Sequence, residues 1–123
     1  MNFSENTGLL KVYVGESDKV HNRPLYEEIV FDARKAGLAG ATVYKGFMSF
    51  GASHSVHTMK IFALSGDMPV LIEIIDTKDK LELFANHINE LMELSKKGGL
   101  ITFQDLKVLR YEKGEKYKNL NGS

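Results

Sequence analysis

Apolar and polar positions follow two different periods along this chain, and the switches between them predict its elements. In the run Leu9–Val14, Leu10, Val12 and Val14 recur at every second residue and predict a strand with one apolar face. Gly15-Glu16-Ser17-Asp18 interrupts that strand. Pro24 suits the first turn of a helix. Leu25, Ile29, Ala33 and Ala36 then follow at helical spacing, Val30 widens the stripe, and Gly37 is a natural stop. Ala41–Lys45 predicts a second strand and Met59–Leu64 a third. After the turn cluster Ser65–Pro69, Val70–Ile75 is β-branched and apolar on both faces, which predicts a strand covered on both sides. Asp76 or Thr77 can cap a second helix, on which Leu81, Phe84, Ile88 and Leu91 share a face. Lys96-Lys97 places positive charge at its C-terminus and Gly98-Gly99 ends it. Leu100–Phe103 and Leu106–Tyr111 predict short final strands around Gln104-Asp105.

The resulting order, β-α-β-loop-β-β-α-β, predicts an α+β chain. Its architecture is a split β-α-β, ferredoxin-like sandwich with an antiparallel sheet and two helices on one face. Residues 9–111 form the domain, residues 1–8 a flexible N-terminus and residues 112–123 a flexible polar tail. No helix remains to cover the second face of the sheet, which would expose a broad apolar patch in a single copy. Association of copies, burying about 800 Å² on each, is the ordinary remedy.

Composition narrows the partners. The chain has 123 residues, 43% of them hydrophobic, enough for one cored domain. Lysine plus arginine equal aspartate plus glutamate at 16 each, so no basic excess marks a nucleic-acid partner. The absence of cysteine excludes disulfides and thiolate metal sites and fits a reducing compartment. Residues 1–8 lack a secretory pattern, and no run approaches the roughly 20 apolar residues of a membrane span. A cytoplasmic protein is expected.

The chemistry-bearing stretch is Gly46–His57, where glycines and serines are mixed with Phe47, Phe50, His54 and His57. A loop of this length inside a small domain points to function. Phe47, Met48 and Phe50 serve either to meet a partner or to pack onto the sheet. His54 and His57, three apart, would share a face if helical but need a third ligand to hold a metal. A hydrogen-bonding or pH-responsive pair is the preferred reading, and no metal site is expected. His87 lies at the margin of the second helix's stripe and reads as a boundary residue; His21 is placed to help cap the first helix. Glu16 and Asp18 are close enough for acid–base work but have no neighbouring nucleophile, and turn chemistry accounts for them equally well. No catalytic residue is expected. Gly46 and Gly51 have the spacing of a P-loop, but Ala52-Ser53 stands where that motif needs Lys-Ser/Thr. Glu73 interrupts an apolar strand and needs a partner, either as a site residue in a subunit cleft or in a structural ion pair.

Several segments together resemble a known family. They are Val12-Tyr13-Val14-Gly15-Glu16-Ser17-Asp18, Arg23-Pro24-Leu25-Tyr26, the run from Ala36-Gly37-Leu38-Ala39-Gly40 through Ala41-Thr42-Val43-Tyr44-Lys45-Gly46, Phe50-Gly51, His57, Pro69-Val70, Glu73-Ile74-Ile75-Asp76 and Gly99-Leu100. Across residues 9–111 the chain is similar to the PII-like signalling proteins, specifically the bacterial and archaeal PII-like domains of unknown function. The resemblance implies a ferredoxin-like homotrimer that binds adenine nucleotides in clefts between subunits and docks on targets through a long loop. On that basis Thr42, Glu73, Gly98, Gly99 and Arg110 are the candidate ligand contacts. Gly46, Phe47, Phe50, Gly51, His54 and His57 belong to the partner-binding loop. This sequence departs from the PII pattern in three ways. Leu100 stands where a lysine follows the glycines, Arg110 stands alone in place of paired arginines, and Tyr44 precedes the loop that would carry a uridylylated tyrosine. Each missing cation removes a charge-assisted bond to phosphate, so AMP is favoured over ATP. The implied function is a non-enzymatic sensor with no cofactor beyond such a ligand. Its target protein is unspecified; a membrane transporter is one candidate, since group members are linked to fluoride-export channels. The alternatives are a constitutive trimeric interaction module without ligand and a metal-dependent enzyme using His54 and His57.

Overall fold

A computed structural model describes residues 6–46, 49–50, 56–57 and 68–114. Strand β1 (Thr7–Gly15) leads through a small hairpin, β2 (Lys19–Val20) and β3 (Arg23–Pro24), into helix α1 (Leu25–Lys35). Strand β4 (Ala41–Lys45) follows, then the short β5 (Ser49–Phe50) and β6 (Val56–His57). The chain continues with β7 (Pro69–Thr77), helix α2 (Lys78–Ser95) and β8 (Leu100–Asp105). The main sheet has the order β4-β7-β1-β8 with every neighbouring pair antiparallel. This is the ferredoxin-like α+β arrangement expected from the element order.

The core lies between this sheet and the two helices. Register places Leu10 opposite Ile74, Val12 opposite Ile72 and Val14 opposite Val70, so the apolar positions of both central strands point to one face. They meet Leu25, Ile29 and Ala33 of α1 and Leu81, Phe84, Ile88 and Leu91 of α2, all buried. The α2 stripe matches the periodicity of the sequence, and the α1 stripe matches it through Ala33.

The element boundaries depart from expectation for local reasons. Strand β1 starts at Thr7: Thr7 and Gly8, assigned to a flexible terminus, pair with Thr77 and Asp76. Gly8 lies beneath the Phe103 ring, where a Cβ would come within 2.4 Å of it. Neither Asp76 nor Thr77 caps α2 with its side chain. The fully buried Asp76 instead accepts from the Thr77 amide at 2.7 Å and, through its other oxygen, from the Ala39 amide at 2.8 Å. It thereby ties the α1–β4 connection to the end of β7. Helix α2 ends on Lys96, which is itself left-handed (φ 58°), before the glycines are reached. Ala36 is the exposed C-cap of α1 rather than part of its buried stripe, and Gly37 takes the left-handed conformation (φ 78°) that suits a stop. Leu106–Tyr111 forms no strand. His21 does not cap α1; with Asn22 it makes the two-residue left-handed turn of the β2–β3 hairpin. His87 is more than a boundary residue, because its Nε2 lies 2.6 Å from Asp32 Oδ2 on α1. Residues 112–114 are exposed and without regular structure, while the rest of the tail and the Met59–Leu64 strand fall outside the described residues. Among the described residues, no helix is long and apolar enough to cross a membrane.

Candidate functional site

The sheet face turned away from the helices is organised in transverse rows by the antiparallel register. Tyr44, Leu71, Tyr13 and Leu100 stand side by side, one from each strand. The next row is Thr42, Glu73, Lys11 and Thr102, and beyond it Ile75, Leu9 and Gln104. A band of polar side chains therefore crosses the middle of a largely apolar face. Tyr13, Tyr44, Ile75 and Leu100 are exposed on it.

Two of the expected ligand contacts come together here. Thr42 on the outer strand β4 is directly opposite Glu73. The Tyr44 hydroxyl, two residues along, donates to Glu73 Oε1 at 3.2 Å. The negative charge of Glu73, followed by the hydrogen bond itself, raises the Tyr44 phenol above its ordinary 10.0. The partner that Glu73 required is thus a tyrosine one strand away, a neighbour visible only once the register is known.

The glycine pair lies elsewhere. Gly98 and Gly99 lead into β8, the outer strand on the opposite edge of the sheet. Three strand spacings separate that edge from Thr42, about 14 Å. A Cβ on Gly99 would meet Met92 Cε at 2.8 Å and the Tyr13 carbonyl oxygen at 3.2 Å, so the backbone runs close to its neighbours there. Beside it lies a groove of about 430 Å³ lined in part by Asn89, Glu93, Lys96, Lys97 and Gly99. The lysines that precede the glycines thus bring positive charge to this edge, although Leu100 replaces the lysine that would follow them. Arg110 lies beyond β8 and pairs with Glu112 at 2.9 Å. Within one copy of the chain, the expected contacts do not converge.

The Gly46–His57 stretch contains a short ladder in place of a continuous loop. Ser49 pairs with His57 and Phe50 with Val56 in the β5–β6 hairpin. His57 is thus in a strand and not in a helical turn. Phe47, Gly51 and His54 lie outside the described residues. Among the described residues, no three His, Cys, Asp or Glu side chains gather as a metal site.

The base of this excursion is closed by three contacts. The Gly46 amide donates to the Pro69 carbonyl at 2.8 Å, and the Glu16 amide to the Met68 carbonyl at 2.7 Å. Lys45 Nζ lies 2.6 Å from Glu16 Oε2. The hydrogen bond to Glu16, reinforced by its charge, raises the Lys45 ammonium above its ordinary 10.5. Asp18 accepts from the Gly15 amide at 2.9 Å, and its carbonyl accepts from the Leu25 amide at 2.7 Å. Glu16 thus helps close the neck and Asp18 shapes the turn, as turn chemistry led one to expect.

Comparison with known proteins agrees with this architecture. The family model DUF190, described as Uncharacterized ACR, matches residues 7–108. A UPF0166 protein of Methanocaldococcus jannaschii is 36% identical over 110 residues, covering 89% of this chain and 95% of the relative. Among solved structures, CPII, a nitrogen regulatory PII-like protein from Thiomonas intermedia K12 bound to ADP, AMP and bicarbonate, superposes with a TM-score of 0.65. It is 15% identical, covering 85% of this chain and 89% of its own. The divalent ion tolerance protein CutA1 from Ehrlichia chaffeensis superposes with a TM-score of 0.55 at 14% identity, covering 92% and 89% of the two chains. These structural likenesses establish a shared fold. With the family model spanning nearly all of the domain, the chain belongs to the DUF190 family.

Proposed function

We propose that this chain is a non-enzymatic, PII-like signalling protein of the cytoplasm. It senses a small ligand, an adenine nucleotide, in clefts formed between copies and signals through the Gly46–His57 excursion. The observation that carries this reading is the division of the candidate contacts between opposite sheet edges. Thr42, Tyr44 and Glu73 lie toward one edge, and Gly98, Gly99, Lys96 and Lys97 lie at the other. Association of copies through the open sheet face can bring one edge beside the other and complete a pocket that a single copy lacks. Thr42 and Glu73 supply hydrogen bonds to a base or ribose, while glycine backbone and lysine charge suit phosphate. The PII-like protein of the same fold is bound to ADP, AMP and bicarbonate, which supports the nucleotide class. The nearby neck at Glu16, Lys45 and Gly46 gives the ligand a route to the excursion, whose apolar residues meet the target.

Native mass spectrometry and calorimetry test the reading together. The expected result is a trimer that binds AMP more tightly than ATP, with Thr42→Ala and Gly99→Val each weakening binding while the trimer persists. A single-chain mass, or no heat and no melting shift with AMP, ADP or ATP, would overturn it.

A further inference from the structure

A second region of the molecule has the makings of a ligand site, on the helical side of the sheet. A groove of about 500 Å³ runs between α1 and α2, within the range of small-molecule sites. Its apolar wall comes from Leu83 and Phe84 of α2, and Leu83 is 73% exposed in mid-helix. Lys35 at the end of α1 and Lys80 in the first turn of α2 line the same groove. Arg23, Lys45, Lys78 and Arg110 each have a carboxylate partner, whereas Lys35 and Lys80 have none among the described residues. The acid lining this groove, Asp32, is engaged by His87 at 2.6 Å. That leaves an apolar surface flanked by two ammonium groups, neither of them in an ion pair among the described residues. The positive end of the α2 dipole adds to their field at Lys80.

We propose that the α1–α2 groove binds a small organic anion with an apolar body, an aryl or short alkyl carboxylate. The carboxylate is held by Lys35 and Lys80, and the body rests on Leu83 and Phe84. The acid group distinguishes this ligand from a neutral apolar molecule of the same shape, because each ammonium contributes a charge-assisted hydrogen bond. The site is independent of the nucleotide reading and lies across the sheet from Thr42 and Glu73.

Titration of the isotope-labelled full chain with sodium benzoate, followed by amide chemical shifts, tests this directly. Benzyl alcohol serves as the neutral control. Shifts are expected at Lys35, Lys80, Leu83 and Phe84, with benzoate binding at least about tenfold more tightly than the alcohol. The double variant K35E/K80E alters two exposed side chains, and its fold is checked by circular dichroism. It should abolish the preference for benzoate. Equal binding of acid and alcohol, benzoate affinity unchanged in the double variant, or shifts gathered at Thr42 and Gly99 would each overturn the proposal, as would the absence of any shift.

Discussion

The two faces of the sheet were built to different rules. On the helix side, Val12, Ile72 and Ile74 are fully buried aliphatics, and each meets more aliphatics above it. On the other side, the same strands present Tyr13, Tyr44, Ile75 and Leu100 interrupted by Thr42, Glu73, Lys11 and Thr102. One face is dry and does the work of folding. The other mixes apolar area with hydrogen-bonding groups, the composition of an interface with a central polar band. A side chain's contribution therefore depends on which face its strand parity selects.

The largest expected effect is on assembly. Tyr13→Glu with Leu71→Glu places like charges in one row of the open face, and light scattering should give the mass of a single chain while circular dichroism remains unchanged. An unaltered mass would break the contrast between the faces. Ile72→Ala, on the dry face, should cost about 2–5 kcal/mol in urea denaturation. Ile75→Ala on the open face should cost less than half as much, in line with its partial exposure. Asp76→Ala should cost about 1–3 kcal/mol by leaving the Ala39 and Thr77 amides without their acceptor. The smallest effect concerns Tyr44. Its raised phenol pKa means that the bond to Glu73 stabilises the fold below pH 10.0 and is lost as pH rises through the higher folded value. Glu73→Gln should return Tyr44 toward 10.0, seen as tyrosinate absorbance appearing at lower pH than in the unaltered chain.

Much of this architecture was legible in residue patterns, and the exceptions share a physical cause. The period-two run in β1 and the helical stripe Leu81, Phe84, Ile88 and Leu91 announce the core because burial selects their side chains. The ends of elements follow backbone pairing, which side chains announce poorly. Thr7 and Gly8 extend β1 because Thr77 and Asp76 are there to pair with them. Polar Gln104 and Asp105 extend β8 along β1 for the same reason. Leu106–Tyr111 has a strand-like composition but is in no strand ladder among the described residues. For the candidate site, Thr42 and Glu73, both named from the resemblance, are register partners on neighbouring strands. Tyr44 as the partner of Glu73 depends on register, and the Asp32–His87 pair joins positions 55 residues apart that no local pattern connects.

The closed neck has a consequence for modularity. Strands β4 and β7 are directly paired from Ala41–Ile74 to Lys45–Val70, and Gly46 is bonded back to Pro69. In topology, the excursion between them is an insert in the bend of an ordinary hairpin. Replacing residues 47–67 with a tight Asn-Gly turn should leave the sheet and its helices standing, giving a minimal scaffold onto which other recognition segments could be grafted.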